Sequence, residues 1–252
     1  MKHAIALFGA ALAIAGTAGA QQGAEAISRP VVVEMFLSQS CKKSPPAAEH
    51  LSVIGQRADI VALAWHVGYW DAVPSPKSGV WADPFARPEF AERQKLYNMR
   101  IRRSEMPFTP QAVIDGVISA VGSKREALEA RITEAQFLDE HSRPTPAALD
   151  LEQDGEGMIR ARINGVGAPY DAYAVSFRPK AVTKIERGDN AGATFNEINV
   201  VTGVRALAMA AEGAQSLSFE APANGDGCAV LVQERGQGRV VAARYCAVAA
   251  AF

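Results

Sequence analysis

The sequence predicts an α/β domain followed by an all-β, antiparallel, sandwich-like domain. Three observations carry that expectation. Apolar, β-branched runs at Val31–Leu37 and 60–65 (IVALAW) flank a helical stripe, the pattern of a parallel βαβ unit. The segment 141–146 (HSRPTP) is polar and proline-rich and reads as a linker. Beyond it the texture changes to short alternating strands, with Gly and Asn at the turns. At 252 residues and 48% hydrophobic content, there is material for one large or two small domains. A formal net charge of −1 gives no general attraction to nucleic acid or anionic membrane.

The chain opens with the features of a signal peptide over 1–20. Lys2 and His3 precede an apolar run, and Ala18-Gly19-Ala20 is an A-x-A cleavage site. The run is too short to span a bilayer as a helix. Export to a periplasm or beyond the cell is therefore expected, with no membrane attachment after cleavage. Disulfides form and persist in such compartments. Residues 21–28 read as a disordered lead-in, which leaves 29–140 for the first domain.

The stretch 31–50 (VVVEMFLSQSCKKSPPAAEH) is the chemical focus. Val31, Val32 and Val33 are apolar without alternation, which suits a strand buried on both faces. Pro45 and Pro46 lack amide donors and fit only the first turn of a helix. Ala47, Leu51 and Ile54 then form one apolar stripe. Cys41 falls at the loop–helix junction, where unpaired amides favour negative charge. With Lys42 and Lys43 beside it, such a thiol is expected to ionise below its free value of about 8.5. The alternative is a buried, inert cysteine. Ser44 stands in a C-x-x-S spacing where a dithiol protein has its second, resolving cysteine. It is also a good N-cap. Without a partner thiol, Cys41 cannot close an internal disulfide.

These residues resemble a secreted, thioredoxin-like family, domain of unknown function 1223. The matching segments are 31–47, 62–71 (ALAWHVGYWD), 82–97 (ADPFARPEFAERQKLY), 108–116 (FTPQAVIDG), 121–123 and 186–201 (ERGDNAGATFNEINVV). Members usually carry C-x-x-C where Cys41-Lys42-Lys43-Ser44 stands, Gly in place of Ser40 and Asp in place of Gly68. The resemblance implies a thioredoxin-like fold for the α/β domain and an exported compartment. It also implies that Thr109–Pro110 is a cis bond facing the reactive loop, with the Thr109 backbone open to an extended peptide near Cys41.

The rest of the first domain follows in order. His66 ends the second strand, just beyond which loop chemistry gathers in parallel sheets. It reads as a base for Cys41, a metal ligand with it, or a histidine bonded to the loop backbone. The insertion 68–88 is rich in Trp, Pro and Asp and reads as a lid over the Cys41 loop or a small core of its own. Pro88 opens a helix whose Arg93, Lys95, Arg100, Arg102 and Arg103 form a basic, solvated face. Asp115-Gly116 is a two-residue hairpin turn, and Ser123 with Glu126 is a capping box opening a helix to about Phe137.

In the second domain, 147–252, strands are expected at 148–153, 158–164, 170–178, 182–187, 196–209 with Gly203 a point of interruption, 216–219, 229–234 and 240–248. If Gly236-Gln237-Gly238 is a three-residue turn, Cys228 faces Cys246 across one hairpin, and a disulfide is expected between them; a two-residue turn would offset the pair and leave two buried free thiols. Cys41 is then the odd cysteine, the pattern of a free reactive thiol or of intermolecular pairing.

Three functions fit. The first is single-cysteine thiol–disulfide exchange. Cys41 is the thiolate, Ser44 caps the helix or bonds the sulfur, and Thr109 and Pro110 hold a partner chain. This is an oxidoreductase-like protein lacking the resolving cysteine and needing no cofactor. Its partner is a protein or a low-molecular-weight thiol or disulfide. The second is a non-catalytic binding module that has lost dithiol chemistry. The third is metal carriage by Cys41 and His66. Nothing in the sequence sets the oligomeric state.

Overall fold

A computed structural model describes residues 29–76, 78–142 and 147–246; the side chains of 139, 140 and 142 are left undescribed. The expected signal peptide (1–20), the lead-in (21–28), most of the linker (143–146) and residues 247–252 lie outside the described residues. Eleven strands and three α-helices follow in the order β1 Val31–Leu37, α1 Pro45–Ile54, β2 Ile60–His66, α2 Pro88–Tyr97, β3 Gln111–Ile114, β4 Ile118–Val121, α3 Arg125–Ser142, β5 Ala148–Gln153, β6 Met158–Asn164, β7 Tyr170–Lys184, β8 Thr194–Ala211, β9 Gln215–Glu220, β10 Gly227–Glu234 and β11 Val240–Tyr245. A π-helical turn, Asn98–Arg102, extends α2.

The two-domain expectation is corrected by the sheet. One mixed sheet of eight strands runs in the order β11-β10-β7-β8-β2-β1-β3-β4, and a second sheet has only β5-β6-β9. The protein is mostly β, and four strands from beyond 146 continue the sheet begun by β1 and β2. There is therefore no α/β thioredoxin-like domain followed by a separate sandwich. The seam is β2 against β8, parallel, through Ala64 and Val200. Side chains complete it where the backbone ladder stops. Ala62 N donates to Tyr245 Oη at 2.8 Å, and Asn199 Nδ2 donates to Ala62 O at 3.0 Å. Unpaired buried backbone groups are costly, so these bonds stabilise the join.

Alternation along each central strand sends its residues into two layers. Val31, Val33, Met35 and Leu37 meet α1 and α3 through Leu51, Ile54, Leu128 and Ile132. Val32 and Phe36 meet α2 through Phe90 and Tyr97, with Phe177 and Leu231 in the same cluster. A third cluster joins Val230 and Val232 to Ile159, Ile163 and Phe219 of the small sheet.

Several elements differ from expectation in bounds. The expected strands 170–178 and 182–187 merge into β7 despite Pro179, and β8 is unbroken at Gly203, which pairs with Ser176 beside a register shift. Helix α3 runs on to Ser142. Asp115 and Gly116 both take positive φ (48° and 71°), and Val117 N donates to Ile114 O at 3.1 Å, the expected hairpin turn. The basic face of α2 is also corrected. Arg93 is buried, bonded through Nε to Glu34 Oε2 at 2.6 Å and through Nη2 to Oε1 at 3.0 Å. Its guanidinium stands 5.1 Å from the ring centroids of Trp65 and Tyr97, and Tyr97 donates its hydroxyl to Glu34.

The expected disulfide is present: Cys228 and Cys246 are joined, with Cα atoms 5.2 Å apart. Ala229 pairs with Tyr245, the offset assumed, although Gln233 pairs with Val240. A bulge between Val232 and Gln233 makes up the missing residue.

Candidate functional site

The site is the loop from Ser38 to Ser44. Two short turns build it: Cys41 N donates to Ser38 O at 3.1 Å, and Ser44 N donates to Cys41 O at 2.9 Å. Pro45 and Pro46 then start α1 without needing the amides they lack. Thr109–Pro110 is cis, and the Cys41 thiol donates to the Thr109 carbonyl with Sγ 3.7 Å away. Cys41 is the one free cysteine of the three. It is only 4% exposed, so the polar composition of its loop did not keep it open. The sulfur nevertheless belongs to none of the three apolar clusters.

Ser44 has a role other than the two expected. Its side chain makes no cap bond; its Oγ accepts from Ser38 N at 3.2 Å, tying the loop's ends together. Lys42 and Lys43 are exposed.

The insertion packs over the loop that carries the thiol. Trp70 donates its indole N–H to Thr109 Oγ1 at 2.6 Å, and Trp81 donates to Gln39 Oε1 at 3.3 Å. Ser40 Oγ donates to Trp81 O at 2.6 Å and stands 3.1 Å from Asp71 Oδ1. Residues 72–74, 76, 79, 80, 82 and 84 are exposed, so the insertion packs over the loop and forms no core of its own. Thr109 is buried beneath it, and its backbone edge is not open to a peptide. Burial pushes the Tyr69 phenol up to about 12; Gln94 and Thr109 act against that shift, and charge on Cys41 adds to it. Tyr69 therefore stands within electrostatic reach of the sulfur.

The tip of the β7–β8 hairpin closes the remaining side. Asn190 Nδ2 donates to Gln39 O at 2.8 Å and to Cys41 O at 3.0 Å. Gly188 allows the approach. Its φ is +77°, and a Cβ there would lie 2.9 Å from Trp81 Cβ.

His66 lies beneath the loop, fully buried. Its Nδ1 donates to Asp83 Oδ2 at 2.7 Å, and its Nε2 stands 3.2 Å from Glu197 Oε1. That second contact has the distance of an ion pair without the geometry of a hydrogen bond, since neither atom has a hydrogen-bond partner. Burial alone lowers the imidazole's pKa. Attraction from Glu197, then Asp83, outweighs it and raises the group to about 10. The ring is thus charged, and both nitrogens face carboxylates. This corrects His66 as a base for Cys41. As a metal ligand it finds no partners: no group of three or more His, Cys, Asp or Glu side chains able to hold a metal occurs among the described residues. Asp83 Oδ2 also accepts from Gln39 N at 2.7 Å, and Glu197 Oε2 accepts from Gln39 Nε2 at 2.9 Å. The buried ions thereby fix the residue two before the thiol.

Asp83, Asn190 and Glu197 were not legible as site residues. They lie in segments that carry the family resemblance, but their spacing gives none of them a role.

Fold and site together define a mixed-sheet protein with one free thiol held in a polar cradle opposite a cis-proline. The chain belongs to the DUF1223 family of proteins of unknown function, whose model matches residues 32–233. Among solved structures it is similar to a structural-genomics crystal structure of an Agrobacterium tumefaciens protein. The two share 22% identity with a TM-score of 0.70, over 86% of this chain and 93% of that one. No curated protein matches.

Proposed function

We propose that the protein is an exported, single-cysteine thiol–disulfide exchange protein acting through Cys41. The carrying observation is the placement of that sulfur: outside every apolar cluster and against the Thr109 carbonyl beside a cis-proline. The Cys228–Cys246 bond supports an oxidising compartment, periplasmic or extracellular.

In the step itself, the Cys41 thiol loses its proton and the thiolate attacks one sulfur of a partner disulfide. A Cys41–sulfur bond forms as the partner's S–S bond breaks, and the released thiolate takes up a proton. Ser44 cannot resolve the mixed disulfide, so an external thiol must attack it to restore Cys41. Incubating the native protein with oxidised glutathione and reading the intact mass tests this. A single glutathione adduct is expected on the wild type, with none on Cys41→Ser. A wild type that stays unmodified contradicts the proposal.

The 4% exposure of Cys41 favours a second reading, a binding module whose thiol is structural. Recovery of bound envelope proteins separates the two: under that reading Cys41→Ser recovers the same partners as wild type.

A further inference from the structure

The open edge of the large sheet carries a second surface. Strand β4 ends the sheet, and no strand pairs with its outer side among the described residues. Across the β3–β4 ladder, Gly122 N donates to Pro110 O at 2.9 Å. Bonded and non-bonded residue pairs alternate along an antiparallel ladder. Ala112 and Ala120 are therefore a bonded pair, whereas Ser119 and Val121 turn their backbone groups outward. The Val121 carbonyl accepts from Lys124 N at 3.0 Å. That leaves the Ser119 amide and carbonyl and the Val121 amide on the open edge.

A groove of about 420 Å³ runs beside this edge, lined by Arg102, Phe108, Ser119, Ala120 and Val121. Val121 is 43% exposed there. The π-helical turn brings Arg102 over Phe108, with its guanidinium 4.8 Å from the ring centroid. Arg102 donates through Nη1 to Asn98 Oδ1 at 2.7 Å and to Met106 O at 2.9 Å. Its Nε and Nη2 donors have no acceptor, and no carboxylate pairs with it, among the described residues. That free side of the fork matches a carboxylate in geometry and charge.

We propose that this groove docks an extended, acidic segment of a partner protein. The segment adds to β4 as a ninth strand, sets an apolar side chain against Phe108 and Val121, and places a carboxylate on Arg102. Main-chain bonds to a sheet edge supply affinity, and side-chain pockets supply specificity. Phe108 directly precedes Thr109, so the docked chain lies on the flank of the Cys41 loop. The docking itself does not depend on thiol chemistry.

The test is selection of linear dodecapeptides from a display library on the whole protein, then fluorescence anisotropy with the enriched peptides. Enrichment of peptides combining Asp or Glu with large apolar residues is expected. Arg102→Glu is expected to weaken their binding by about tenfold or more, and added salt to weaken it further. Val121→Pro removes one outward amide at an edge position that tolerates proline, and is expected to weaken binding comparably. Should that variant melt early, Val121→Asp tests the same wall. No enrichment, enrichment of basic peptides, or affinities unchanged by these substitutions would overturn the proposal. Because the same measurements run on Cys41→Ser protein, they stand apart from the exchange reading.

Discussion

At the scale of single residues, the thiol loop is held by buried charge. His66, Asp83 and Glu197 sum to one net negative charge in a site closed to water. Replacing His66 with Gln leaves two carboxylates uncompensated, and a loss of about 3–5 kcal/mol is expected by denaturant unfolding. The pH dependence has a definite sign. The folded-state pKa of His66, about 10, lies above its ordinary 6.5. The ion pairs therefore contribute fully below 6.5, and the contribution is lost as pH rises towards 10. In that window the native state holds a proton that the unfolded chain has released. Stability is expected to fall by up to about 1.4 kcal/mol per pH unit, more steeply than in His66→Gln. A wild type whose stability is flat across that range contradicts this. Cover is a second residue-scale matter. Trp70→Ala removes the bond to Thr109 Oγ1 and is expected to speed alkylation of Cys41 several-fold, read by mass spectrometry. Cys41 itself was legible from its place before a proline-started helix. Its depth was not, because the residues that bury it come from elsewhere in the chain.

Among elements, helix α2 shows why a charge pattern can mislead. Arg93 sits in a run of basic residues, and spacing assigns the run to solvent. Glu34, in the apolar strand β1, is the carboxylate that draws Arg93 inward, and nothing local in either segment announces the pair. Removing one partner of a buried pair strands the other, so Arg93→Ala is expected to cost about 3–5 kcal/mol. The double change Arg93→Met with Glu34→Leu is expected to cost clearly less in the same denaturant titration. The β10–β11 hairpin was legible, disulfide included, because pairing across one turn is local. Its bulge at Val232 and Gln233 was not. The bond closes a loop between cysteines 18 residues apart. Replacing both cysteines with Ala is expected to cost about 3 kcal/mol by chain entropy, measured as a lower denaturation midpoint.

For the whole molecule, the strands beyond 146 were legible as strands but not as part of the first sheet. The join between β2 and β8 is a parallel contact between residues far apart in sequence, made by Ala64, Val200, Asn199 and Tyr245. Periodicity reports which residues form a strand, not which distant strand lies beside it. The join matters to the site, since it brings Asn190 and Glu197 onto the thiol loop. A fragment ending at residue 142 loses both of them, together with Phe177 and Leu231 from the α2 cluster. It is expected not to unfold cooperatively, whereas the whole chain is expected to show one transition by circular dichroism. Under the proposed exchange chemistry, the Cys41 thiol in this assembly attacks a partner disulfide. The most direct measurement is the rate of iodoacetamide alkylation of Cys41 across pH, set against glutathione under the same conditions. Exchange through Cys41 predicts a reaction faster than that of glutathione at neutral pH. A Cys41 that reacts no faster than glutathione at neutral pH would contradict it.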